Sequence, residues 1–92
     1  MNNRILRVER LTGIPRQRVR YYREKGIIPS RKEKAGSRQF YVYQDEDIEK
    51  LKWIDRLLTM GLKLNNAAFV YEHHRDKLSG DFLELLKIIS VN

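Results

Sequence analysis

Within the stretch from Pro15 to Lys25 the chain carries Arg16, Gln17, Arg18, Arg20 and Arg23. Guanidinium groups grip phosphate oxygens and pair bidentately with guanine, while a glutamine amide pairs in the same way with adenine. So dense a run of these side chains is suited to reading a duplex nucleic acid. Two other groups invite a chemical reading. Asp45, Glu46 and Asp47 form a carboxylate cluster, and His73 and His74 are adjacent imidazoles. The carboxylates stand where a helix begins, and acidic charge there complements the helix dipole, so capping and solvation account for them better than a metal or acid–base chemistry. Neighbouring histidines diverge around a helix and cannot share a metal without help from elsewhere, so they read as surface or packing residues. The chain has no cysteine, which excludes disulfides, thiolate metal sites and thiol redox sensing. No set of nucleophile, base and orienting group emerges, and no phosphate-cradling glycine loop does either. No enzyme activity, metal or cofactor is expected.

The net charge of +7 is unevenly placed. Residues 1–43 carry 12 Lys/Arg against 3 Asp/Glu, a net of +9, whereas residues 44–92 carry 7 against 9, a net of −2. The basic half is the expected anion-binding half, and the other half is expected to pack or to bind protein. Solvated charge on exposed helices is the plain alternative. Ninety-two residues make one small domain with a modest core. No apolar run is long enough to cross a bilayer, and Met-Asn-Asn-Arg is not followed by an apolar signal segment, so a cytoplasmic, nucleoid-associated location without membrane contact is expected.

Several short elements must position these arginines. Ile5, Val8 and Leu11 recur at helical spacing, which predicts a helix over about 4–12, capped by Asn2 or Asn3 and ended by Gly13. Pro15 suits the first turn of a second helix running to Lys25, with Val19 and Tyr22 on its inner face and Gly26 as its stop. Two helices joined through Thr12-Gly13-Ile14 make a helix-turn-helix, in which the second helix enters the major groove. Residues 30–43 then change character. The charged run Ser30–Lys34, the small turn Ala35-Gly36-Ser37 and the strand-favouring Phe40-Tyr41-Val42-Tyr43 read as a hairpin wing. Such a wing carries Arg31, Lys32, Lys34 and Arg38 to the phosphates flanking the groove. An ordinary exposed hairpin with solubilising lysines is the alternative. Arg18 and Lys32 are expected to add sequence-independent phosphate contacts. From Asp45 to Met60, Ile48, Leu51, Ile54 and Leu58 form a helical stripe flanked by Trp53 and Leu57, and Asn65 can cap a fourth helix carrying Leu64, Ala67, Ala68, Tyr71 and Leu78.

Taken together, Thr12-Gly13-Ile14, Arg20-Tyr21-Tyr22, Gly26-Ile27-Ile28-Pro29, an aromatic strand leading into Asp45-Glu46-Asp47-Ile48, and Leu57–Leu64 with its Gly61 turn resemble the DNA-binding domain of the MerR family of transcription regulators over about residues 4–72. The resemblance implies a mainly α fold, a winged helix-turn-helix with four to five helices and a small β-hairpin wing. It also implies a homodimer on an inverted-repeat duplex site, in many relatives bending or untwisting promoter DNA so that RNA polymerase engages both promoter elements. Carried over by position, Gln17, Arg18 and Arg20 fall on the recognition helix, Tyr21 on the family's DNA-facing tyrosine, and Tyr22 on a packing position. The chain departs from the pattern at Glu9, where relatives usually have alanine, and at Arg18, where threonine is common. The wing also departs: setting Tyr43 on the last tyrosine of the family's wing motif puts Tyr41 in its arginine slot, whereas matching Gly36 and Arg38 shifts the strand.

Residues 1–78 are expected to form the winged domain and 79–92 a short apolar helix. Asp81 with Glu84 resembles a capping box, and Phe82, Leu85, Leu86 and Ile89 belong to a segment apolar around most of its circumference, which suits dimerisation. Full-length relatives continue into a long antiparallel helix and often an effector domain; neither is expected within these 92 residues, whether the chain is a minimal member or a fragment, and no sensor function is assigned. Three function classes follow: sequence-specific transcription regulation, architectural DNA binding as by an excisionase-like recombination factor, and a module whose basic face meets acidic protein.

Overall fold

The computed structural model describes residues 2–78, with side chains through His73. Four helices and one hairpin follow one another as α1 (Ile5–Thr12), α2 (Arg16–Glu24), β1 (Arg31–Ala35), β2 (Arg38–Val42), α3 (Asp45–Thr59) and α4 (Leu64–Leu78). This is the expected winged helix-turn-helix. The apolar segment from 79 onward, with Phe82, Leu85, Leu86 and Ile89, lies outside the described residues.

The first helix differs from its sequence reading in both its cap and its inner face. Asn3 does not cap it. Asn3 is buried and forms an antiparallel bridge with Tyr43, N–H to carbonyl at 2.8 and 2.7 Å, while its amide donates to the Tyr43 carbonyl at 3.1 Å and to Asp45 at 3.2 Å. The inward positions are Ile5, Val8, Glu9 and Thr12, and Leu11 stays 46% exposed. Positions i, i+3, i+4 and i+7 share one helical face, and the polar members have work to do on it. Thr12 donates to the Val8 carbonyl and accepts the Ile14 N–H, which holds the tight turn.

Pro15 stands at the N-cap of α2 rather than inside it, and it offers no side-chain acceptor. Glu9 of α1 supplies one: its carboxylate accepts the Arg16 N–H at 2.7 Å. An anion is favourable there, because the first N–H groups of a helix are unpaired and carry partial positive charge. At the other end, Ile27 N–H donates to the Tyr22 carbonyl and Gly26 N–H to that of Arg23, a Schellman closure that needs the φ of 77° adopted by Gly26. The second helix is thereby fixed at both ends.

Tyr22, Val19, Val8 and Ile14 meet Leu51, Ile54 and Leu57 of α3 in one core, to which α4 adds Ala67 and Val70. Within α3 the buried fourth residue is Leu57, and Leu58 is only half-buried. The α3 helix closes through Leu62 N–H to Leu57 and Gly61 N–H to Leu58. The α4 helix already begins at Leu64, so Asn65 lies inside its first turn and does not cap it; Lys63 offers the carbonyl that Ala67 N–H meets at 2.8 Å. Lys50 of α3 and Glu72 of α4 pair at 2.5 Å across these two helices.

The hairpin pairs Arg31 with Val42, Lys32 with Tyr41, Glu33 with Phe40, Lys34 with Gln39 and Ala35 with Arg38. Its two-residue turn, Gly36-Ser37, has positive φ at Gly36 alone, which is the arrangement of a type II′ turn and matches the twist of the strands. The wing is held at its base by Asp47, a 3% exposed carboxylate in the first turn of α3. Asp47 accepts the Gln44 N–H at 3.0 Å and the Arg31 Nε at 3.0 Å, and Glu46 takes the same guanidinium at 2.9 Å. The carboxylate cluster therefore latches the wing as well as capping the helix. Asp47→Ala leaves the Gln44 N–H without its acceptor and Arg31 with Glu46 alone, and it is expected to cost about 1–3 kcal/mol in urea unfolding and to raise amide exchange along β1.

Candidate nucleic-acid interface

At about 100° per residue, Val19 and Tyr22 set the inner face of α2, and Gln17, Arg20, Tyr21 and Glu24 fall opposite them. Tyr21 is 44% exposed beside a Tyr22 that is 1% exposed. Their rings lie 5.9 Å apart at 56°, so one tyrosine anchors the helix and the other faces out. Gln17, Arg20 and Tyr21 thus share the outward face.

The sequence places ten residues at this interface, and eight of them are cations. Charge pairing divides the eight. Arg16 lies 3.7 Å from Glu9, Arg18 is 2.8 Å from Asp55, and Arg31 is held by Asp47 and Glu46. Nearby carboxylates offset these three charges, and they raise the proton affinity of the Arg18 and Arg31 guanidiniums, chiefly through the hydrogen bonds these donate to Asp55 and Asp47. Among the described residues, Arg20, Lys32, Lys34 and Arg38 have no carboxylate at ion-pair distance. Arg23 is different again. Its guanidinium stacks over Tyr41 at 3.6 Å and donates to the Tyr43 hydroxyl at 2.7 Å, so it ties α2 to the wing while keeping its full charge.

Strand geometry divides the wing residues further. Side chains alternate between the faces of a strand, and partners across a pair share a face. Lys32 and Lys34 therefore lie with Tyr41 and Gln39 on one face, and Arg31 and Arg38 with Val42 and Ala35 on the other. Lys32 reaches the same Tyr41 ring as Arg23, with its Nζ 5.5 Å from the centroid. The unneutralised cations Arg23, Lys32 and Lys34 make one continuous basic strip from the end of α2 along one face of the wing. Arg38 is exposed beside the turn on the opposite face and does not join that strip. On that second face Arg4 stacks over Phe40 at 3.7 Å, and Asn2 bonds Glu33, which packs the wing against the start of α1.

Sequence reasoning missed four contributors: Glu9 as the cap of α2, Arg4 and Asp47 as supports of the wing, and Asp55. The Asp55 carboxylate accepts from Arg18 and from the Tyr22 hydroxyl, each at 2.8 Å, and lines an open groove of about 370 Å³ with Tyr21, Leu58 and Thr59. No local pattern marks it, because its partners lie more than thirty positions away in the chain. His73 is exposed and stacks on Phe69 at 3.9 Å, with Nδ1 3.0 Å from the Phe69 carbonyl. Among the described residues no three His, Cys, Asp or Glu side chains are grouped to hold a metal, and no helix is long and apolar enough to cross a membrane.

Residues 4–72, which span the two-helix unit, the wing and most of the α3–α4 pair, match the model of the MerR HTH family of regulatory proteins. The chain belongs to the MerR HTH family. Membership makes this MerR-family chain a DNA-binding regulatory domain with double-stranded DNA as its partner. No curated protein matches the chain.

Burial raises the pKa of the Tyr22 phenol well above its ordinary value, and the hydrogen bond to Asp55 raises it further. In the unfolded chain a tyrosine titrates near pH 10. Above that pH the unfolded chain releases a proton that the folded one retains, so this stability is fully present below about pH 10 and is lost as pH rises through the folded pKa. Urea midpoints are expected to fall across that alkaline range in the native protein, and to fall less steeply in Tyr22→Phe.

Proposed function

We propose that this protein is a sequence-specific transcription regulator of MerR type that binds an inverted-repeat site in double-stranded DNA as a homodimer. The observation that carries the reading is the outward face of α2, where Gln17, Arg20 and Tyr21 are exposed on a helix fixed at both ends, beside the basic strip of Arg23, Lys32 and Lys34. Gln17 and Arg20 are the base-reading residues in this proposal, and Tyr21, Lys32 and Lys34 contact the backbone. Arg38 contributes a flanking phosphate contact from the turn. Dimerisation falls to Phe82, Leu85, Leu86 and Ile89, whose spacing suits an apolar helical seam. With RNA polymerase at the promoter, such a dimer regulates by the shape it imposes on the duplex.

Selection of bound fragments from genomic DNA followed by footprinting tests the reading. The expected result is a protected palindrome whose half-sites lie about one helical turn apart or a multiple of it, with altered transcription from the adjacent promoter. Equal affinity for all sequences would sink it. A monomer in sedimentation at high micromolar concentration would remove the dimer.

A further inference from the structure

We propose that Asp55 withholds the Arg18 charge from duplex DNA and so limits the protein's sequence-independent affinity. The inference rests on the DNA-binding reading above and concerns how strongly the protein binds DNA that is not its site. Arg18 lies on the flank of α2, between the outward face of Gln17 and Tyr21 and the inner face of Tyr22. Its side chain is 49% exposed, yet its guanidinium is turned back to Asp55 at 2.8 Å. Asp55 is fixed independently of Arg18: the hydroxyl of the buried Tyr22 holds the same carboxylate oxygen from the core side, also at 2.8 Å. The acceptor therefore stays in place whether or not Arg18 does.

The energetics allow the exchange. An ion pair this exposed is worth little in water, so a phosphate can compete for the guanidinium. Competition from a fixed carboxylate still subtracts from what a phosphate contact would otherwise contribute. Arg18 is set apart from the other two paired arginines on this point. Arg31 is engaged by two carboxylates at the wing base, and Glu9 is occupied with the Arg16 N–H. Only the Arg18 partner is anchored from the core while leaving its arginine next to the DNA-facing tyrosine.

Fluorescence anisotropy with a random-sequence duplex, measured across a series of salt concentrations, tests the proposal. Asp55→Asn keeps an oxygen for Tyr22 and removes the charge that holds Arg18. It is expected to tighten binding roughly fivefold to tenfold at about 0.1 M salt and to steepen the salt slope by about one unit. Arg18→Ala in the native background is expected to flatten the slope by well under one unit, because Asp55 competes with phosphate for the guanidinium. Combined with Asp55→Asn, it is expected to return slope and affinity to native values. A general gain from one fewer negative charge would survive in that double variant and would overturn the proposal. So would a native-background Arg18→Ala that flattens the slope by one unit. That single variant decides the matter alone should Asp55→Asn fail to fold. Loss of all duplex binding by the native protein at low salt would instead defeat the DNA-binding reading itself.

Discussion

Alanine at Tyr22 is expected to cost about 3–5 kcal/mol of folding stability, whereas alanine at Tyr21, the next residue, should leave stability within about 0.5 kcal/mol and weaken duplex binding instead. The contrast follows from position. Tyr22 is 1% exposed, packs in the core that joins α2 to α3, and gives its hydroxyl to Asp55. Removing it leaves a cavity that the fixed helix cannot close and strips Asp55 of its inner donor. Tyr21 is 44% exposed on the outward face and has little core to lose. Its loss should lower affinity by about 1 kcal/mol, the worth of one hydrogen bond. Urea unfolding and anisotropy on the same two variants separate the roles. Equal destabilisation by both would refute the division of the pair.

The second large effect is expected at the wing. Lys32 and Lys34 share one strand face and have no carboxylate partner among the described residues. Replacing both with alanine should flatten the salt dependence of binding by about two units and weaken specific and random duplexes alike. Arg20→Ala or Gln17→Ala should behave differently. Each is expected to cost about 1–3 kcal/mol at particular base pairs of the selected site and little on random sequence. Competition titrations at several salt concentrations distinguish the two patterns. A wing double variant that loses only sequence discrimination would contradict the assignment of these lysines to the backbone.

Both expectations depend on which charges the fold leaves unpaired, and this is where the sequence was least informative. The elements themselves were legible. Gly13 and Gly26 mark helix ends, Val19 and Tyr22 mark an inner face, and the Gly36 turn ahead of the strand-favouring Phe40-Tyr41-Val42-Tyr43 marks a hairpin, each from information within a few positions. Charge asymmetry along the chain pointed to the expected anion-binding half for the same reason, since it needs only a running count. The misreadings share one origin. Asn3 looked like a local cap and became a bridge to Tyr43. Leu11 looked inward and gave its place to Glu9 and Thr12, which answer to α2 and to the turn.

The sequence by itself determined the winged helix-turn-helix and the arginine-rich second helix, because caps, helical periodicity and turn residues act over one or two turns of chain. Only the tertiary structure decided which arginines of that helix and of the wing lack a carboxylate partner among the described residues. Asp55 meets Arg18 and Asp47 meets Arg31 across separations that no local pattern encodes. An ion pair forms where folding brings two groups within a few ångströms, and that proximity is set by the packing of α3 against α2 and the wing.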